Sequence, residues 1–457
     1  MNVAVKHTGN GVKHDIDMTE GSILGHLLRF SLPLLFGNIL QLLYNMVDTW
    51  VVGNFVSGEA FSAVGTVGPI INLLVGFFLG FSTGAGVLIS QYYGAKKYEE
   101  VEKTVHTALL MTFIFGVVFT IVGILMVPSM LLMMKTPADV WDEATIYLTI
   151  YFAGVMGLMI YNVGSGILRS VGDSKRPSYF LAFSAVVNTV LDLVLVLVFD
   201  LGVAGVAIAT IVAQGGSALL VILVLIRTNS CVKLSIKKFC INKDILFRII
   251  KIGLPAALQM AVTSFSNIFV QSYINYFGTA AMGGWTAYAK IDQIILLPMQ
   301  SVSLAATTFV GQNLGNKNVT RAKKGVSTAM LIACTSTLIL MIPVLIFAPQ
   351  MVMFFNQEPD IIAYGQLFIY WLSPFYILCC MNQIYGGVLR GAGDSTTPMV
   401  IMLLSFVGFR QIYLYVMANH ISNTVVPIAL SYPAGWLLCT TLMTIYYKKS
   451  KFMKKFI

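Results

Sequence analysis

A twelve-residue segment, Gly166-Ile-Leu-Arg-Ser-Val-Gly-Asp-Ser-Lys-Arg-Pro177, returns 221 positions later as Gly387-Val-Leu-Arg-Gly-Ala-Gly-Asp-Ser-Thr-Thr-Pro398, with seven residues identical at matching places. Gln91-Tyr-Tyr-Gly-Ala-Lys96 returns at the same offset as Gln312-Asn-Leu-Gly-Asn-Lys317. At an offset of 222, Arg29-Phe-Ser-Leu-Pro33 returns as Lys251-Ile-Gly-Leu-Pro255, and Asn45 meets Asn267, so the register changes by one residue near position 60. A period this long far exceeds the roughly 20 to 50 residues of solenoids and propellers. Each copy is instead half of a molecule, and each twelve-residue segment sits between two long apolar runs.

Composition says what surrounds those halves. Hydrophobic residues make up 57% of the chain and charged residues 11%, and the mean hydropathy is +0.82, far above a soluble average. Apolar stretches long enough to cross a hydrocarbon core of about 30 Å, roughly 20 residues each, fall near 27–50, 61–90, 105–127, 144–168, 178–199 and 203–226, then near 250–276, 281–311, 325–347, 361–389, 398–418 and 424–447. The expected fold is an all-α integral membrane protein with 12 transmembrane helices in two pseudo-symmetric six-helix lobes. Its predicted parts are a tail over 1–26, an N-lobe over 27–226, a linker over 227–248, a C-lobe over 249–447 and a basic tail over 448–457.

Lys and Arg accumulate on the cytoplasmic ends of spans. With both termini inside, all but three of the 29 Lys and Arg residues fall in cytoplasmic tails, loops or bordering helix ends. The exceptions are Lys135 in an outer loop and Lys290 and Arg410 within spans. The charge of +10 therefore points to anionic lipid headgroups around 227–251 and 448–455, not to nucleic acid. The first 20 residues show no cleavable signal pattern. Cys231, Cys240, Cys334, Cys379, Cys380 and Cys439 show neither metal spacing nor a disulfide framework. A plasma-membrane, multi-pass protein is expected, a monomer without a cofactor.

Charge inside a bilayer is costly, about 2.5 to 3.5 kcal/mol at the helix centre on the mildest scale, so intramembrane ionisable groups mark function. Three carboxylates qualify: Asp48, Asp192 and Asp292. Gln41, Asn45 and Asp48 are spaced to share one helix face; Asn188 and Asp192 lie one turn apart in the fifth span, and the sixth carries Thr210. If these three helices face one another, carboxylate, amide and hydroxyl oxygens converge. Such a set suits a hard cation such as Na+ or a proton shared between two acids, and the residues leave that choice open. Asp48 aligns with Val270 at the 222 offset, and at the 221 offset Asn188 and Asp192 face Phe409 and Tyr413, while Thr210 becomes Ser431. The second half has lost the carboxylates, which suggests divided labour. Its remaining intramembrane charges are Asp292, Lys290 and Arg410, of which Asp292 and Arg410 are expected to form a buried ion pair.

The twelve-span layout, the Leu-Pro near the start of spans one and seven, the Gln-x-x-x-Asn-x-x-Asp row at 41–48 and the two Gly-x-Leu-Arg-x-x-Gly-Asp-Ser-x-x-Pro segments together resemble the MATE family of multidrug and toxic compound extrusion transporters. The resemblance covers nearly the whole chain, from about 20 to 450. It implies that the first lobe holds the coupling-ion site, matching Asp48, Asn188, Asp192 and Thr210. It further implies export of bulky, cationic or aromatic compounds in exchange for Na+ or H+, by alternating access of the two lobes. Gln41, Tyr44, Asn45, Tyr161 and Asn162 are placed to border the substrate path. His26, His106 and His420 sit near span ends and receive no proton role. A lipid-linked precursor flippase of related architecture would need a strongly cationic cavity, for which only Lys290 and Arg410 are available. An intramembrane enzyme would need a catalytic pair that the chain lacks, and a channel would not need unequal lobes.

Overall fold

The computed structural model describes residues 16–449 except Ser57 and Lys135. The predicted tail up to residue 15, Lys135 and residues 450–457 lie outside the described residues. Twelve helices long and apolar enough to span a bilayer follow one another: α1 (Ile23–Phe55), α2 (Gly58–Gly94), α3 (Tyr98–Met133), α4 (Ala138–Ser170), α5 (Lys175–Leu197), α6 (Gly202–Arg227), α7 (Lys243–Asn275), α8 (Thr279–Gly315), α9 (Val319–Ile346), α10 (Pro359–Gly391), α11 (Thr396–Ile421) and α12 (Val425–Lys449). A short helix, Ala348–Met353, joins α9 to α10, and α10 is interrupted at Pro374 by the 3₁₀ turn Ser373–Phe375. Among the described residues there is no strand. Several helices outrun their apolar cores. α3 begins seven residues before its hydrophobic run because Glu99, Glu100 and Lys103 make one-turn ion pairs of 2.9 and 3.0 Å that support helix in water.

The repeated twelve residues build the same turn twice. After α4, Gly172 takes φ +91° and its N–H donates to Arg169 O, with Asp173 N–H donating to Leu168 O; after α10, Gly393 takes φ +82° with matching bonds to Arg390 O and Leu389 O. A side chain at φ near +90° is strained, so glycine ends both helices. The following aspartates start the next helices: Asp173 Oδ1 accepts from Arg176 N–H and Asp394 Oδ1 from Thr397 N–H.

The halves exchange the beginnings of their first helices. Leu27, Phe30 and Leu34 of α1 belong to the hydrophobic core of the second half, whereas Val51 and Val52 near its end belong to the first. In mirror fashion, Ile245 and Ile249 of α7 pack among α2, α3 and α4, and Val270 and Ile274 return to the second half. Pro33 and Pro255 lie inside these two helices, each removing one backbone donor near the crossing. Contacts between halves run from Asn38 Nδ2 to Ser301 Oγ (3.3 Å) and from Gly76 beside Met260, through Gly80 against Ala257 and Gly84 against Gly253, to Gly94 against Gln312. Gly80, Gly84 and Gly94 permit this approach because a Cβ at each would overlap the facing backbone. Toward the opposite end, Gly65 and Gly68 of α2 face open space, and Asn45, Asn72, Ser264 and Asn267 are exposed. The molecule is shut at the end where α1 begins and α12 ends, and its cleft opens at the other.

Candidate functional site

The first half brings its predicted polar residues together. Asp48 lies within polar reach of Asp192, Asn188 and Thr210, and all four are buried, with exposures of 7, 0, 1 and 6% respectively. Asp48 Oδ1, both Asp192 oxygens and both side-chain polar atoms of Asn188 are buried without a hydrogen bond. Five such atoms in one cluster depart from the rule that buried polar groups are paired. Thr210 Oγ1 donates to Val206 O at 3.0 Å, which leaves its lone pairs turned to the cluster. The donor set is carboxylate, carboxamide and hydroxyl oxygen, the chemistry that holds hard cations or shares protons between acids. The described residues hold no group of three His, Cys, Asp or Glu suited to a transition metal.

Tyrosines wall this cluster, and sequence patterning found only one of them. Tyr44 lies near Gln41, Asp48 and Tyr151; Tyr147 lies near Asp48, Asp192 and Thr210; Tyr151 is within reach of Gln214. The Tyr147 and Tyr151 rings stack at 6.5 Å with 12° between planes. Their spacing of one turn on α4 was the available signal, masked by the apolar residues around them. Gln41 is half-buried and Asn45 exposed. Tyr161 and Asn162, expected beside the substrate path, are instead buried and committed to the fold. Tyr161 OH donates to Pro177 O at 3.1 Å, and Asn162 Nδ2 donates to Leu158 O at 2.9 Å while its own carbonyl accepts from Ser82 Oγ.

In the second half the expected Asp292–Arg410 ion pair does not form. Asp292 Oδ1 accepts from Tyr376 OH, which also meets Tyr288 OH at 3.1 Å. Arg410, 1% exposed, donates to Asn267 Oδ1 at 3.0 Å and Ser266 Oγ at 3.4 Å and stacks on Tyr432 (4.4 Å) and Phe406 (4.8 Å). Cation–π contact and neutral acceptors replace the carboxylate. The cause is local: Leu403–Phe409 is π-helical, which adds a residue to the turn. This returns the repeat offset to 222, so Arg410 and Leu414, not Phe409 and Tyr413, stand where Asn188 and Asp192 stand in the first half. Arg410 and Leu414 are buried, whereas Phe409 is 38% exposed. The second half thus fills the corresponding place with its own cation.

The MatE family model matches this chain twice, over residues 33–194 and again over 255–416, the two matches 222 residues apart. The chain belongs to the MATE family. It is a transporter and not an enzyme. At 28% identity it is similar to the "Probable multidrug resistance protein YpnP" of Bacillus subtilis, over 96% of this chain and 98% of that one. It is 21% identical to the "Multidrug export protein MepA" of Staphylococcus aureus, over 83% and 84% of the two chains. A solved outward-facing MATE transporter of the MOP superfamily superposes with a TM-score of 0.90 at 22% identity, covering 95% of this chain and 97% of that one. That likeness concerns the fold, and it places the crossed α1 and α7 and the one-ended cleft within the architecture of MATE transporters.

Proposed function

We propose that this chain is a secondary antiporter that exports bulky, cationic or aromatic compounds in exchange for Na+ or H+, by alternating access of its two halves. The observation that carries the reading is the buried cluster of Asp48, Asn188, Asp192 and Thr210 with its unpaired oxygens. These atoms would take either a Na+ ion, held by Asp48, Asp192, Asn188 Oδ1 and Thr210, or a proton shared by the two acids. Binding of either relieves the cost of two carboxylates beside each other in low dielectric. Because α1 carries Asp48 in one half while its first turns pack in the other, a change of charge at Asp48 is transmitted along a helix that both halves share. Pro33 lies on that helix at the edge of the part packed in the second half, beside Leu34. The relatives' printed names support the drug-export part of the reading. The cleft beside exposed Asn45 and half-buried Gln41 is the proposed substrate path.

Both termini are proposed to be cytoplasmic, from the distribution of Lys and Arg. A groove of about 410 Å³ at that end, lined by Arg176, Arg227, Thr228 and leucines of α6, suits an anionic headgroup above an acyl chain. One chain contains the whole cluster and cleft, so a monomer is expected to suffice. The test is efflux of a fluorescent planar cation from reconstituted vesicles with Na+ and pH gradients imposed separately. Acceleration by one gradient is expected; indifference to both removes antiport.

A further inference from the structure

The segment before α1 does not merely lead into the membrane. Ile16 N–H donates to Val171 O at 3.1 Å, in the turn that ends α4 of the first half. Two residues on, Met18 is fully buried in the core of the second half. Its N–H donates to Gln312 Oε1 at 2.9 Å, and its carbonyl accepts from Asn313 Nδ2 and Arg321 Nε, both at 3.2 Å. Arg321 Nη2 also reaches Glu20 O at 2.8 Å. Asp17 Oδ1 accepts from Thr19 N–H at 2.8 Å and shapes the bend between these anchors. Six residues therefore join α4 of one half to α8 and α9 of the other.

The anchors belong to the contact that shuts this end. Gln91 Nε2 donates to Gly391 O at 2.9 Å and Gln312 Nε2 to Ser170 O at 2.8 Å. Each repeated glutamine thus caps the last turn of the helix that precedes the opposite half's Gly-Asp-Ser turn. Gly94 and Gly315 lie against the facing Gln312 and Gln91 carbonyls. Gln312 is common to both systems, one amide atom holding Ser170 and the other holding Met18. Among the described residues the second half has no matching clasp: its lead-in is held by α3 of the first half, through His106 to Ser235 and Lys238 to Glu102.

We propose that Ile16–Gly21 is a strap that holds the terminal end of the two halves closed, stabilising the conformation whose cleft opens at the other end. Parting the halves at this end must break either the Val171 anchor or the Gln312 and Arg321 anchors. The proposal rests on the rocking motion proposed above. The test is the distance distribution between spin labels at Lys175→Cys and Lys324→Cys, both exposed positions on opposite halves, in the full chain in lipid nanodiscs, with the native cysteines replaced. Removing residues 2–15 should leave the distribution unchanged. Removing residues 2–20, or substituting Arg321→Ala in the intact chain, should raise the ratio of long to short distances at least about tenfold, since several hydrogen bonds are lost together. Gly94→Leu, which wedges the same contact, should open it whatever the strap does. If Gly94→Leu opens this end while neither strap variant changes the ratio, the strap is overturned and rocking survives. If no variant opens, Gly94→Leu included, both fall.

Discussion

Asp48 and Asp192 carry opposite consequences for stability and for transport. Each is buried with an oxygen that no donor satisfies, so each costs folding free energy, which the proposed coupling role would offset in function. Replacing either by the isosteric amide removes a charge from low dielectric. Asp48→Asn and Asp192→Asn should each abolish gradient-driven efflux of the planar cation while the thermal unfolding midpoint stays level or rises. Normal efflux from both variants would remove the cluster from the mechanism. A midpoint lowered in both would instead make the cluster a structural one. Tyr147, near both acids and Thr210, closes the same space.

At the scale of the element, one π-helical turn decides what the second half can do. The turn leaves Phe406 O without its usual helical partner, and Ser266 Oγ of α7 donates to it while accepting from Arg410 Nη1 and Gln411 Nε2. Ser266→Ala should therefore destabilise the protein by about 1–3 kcal/mol, the cost of leaving buried polar groups unpaired. Ser264→Ala, which loses only an exposed bond to its own helix, should stay within about 0.5 kcal/mol. Equal midpoints for the two variants would show that the turn does not depend on Ser266. The π turn also accounts for the return of the repeat from the 221 offset of the Gly-Asp-Ser turns to 222: the extra residue sits inside α11 and turns Arg410 inward.

At the scale of the molecule, the halves are neither separate bodies nor a single one. α1 and α7 each begin in the opposite half's core, and glycines of α2 allow the backbones to meet along one end of the contact. A side chain at Gly94 would overlap the Gln312 carbonyl. Gly94→Leu should then slow efflux at least about tenfold in vesicles, because a conformation required in each cycle is disfavoured, while the folded fraction on size exclusion is unchanged. Efflux at the parent rate would mean that this end need not close.

The sequence by itself determined the twelve spans, the duplication and the family resemblance, and it singled out Asp48, Asn188, Asp192 and Thr210 as candidates. Hydropathy and repeated motifs are local or periodic signals, and a charge within an apolar run stands out without coordinates. Only the tertiary structure decided what those residues meet. Periodicity could not reveal that α11 is re-phased by a π turn, that Arg410 rests on Tyr432 and Asn267 and not on Asp292, or that Tyr161 and Asn162 spend their polar ends on the fold. Nor could it show that Met18, in a polar lead-in, is buried between two helices nearly 300 residues away. Such contacts depend on which faces are brought together across the two halves, and a linear pattern does not record that.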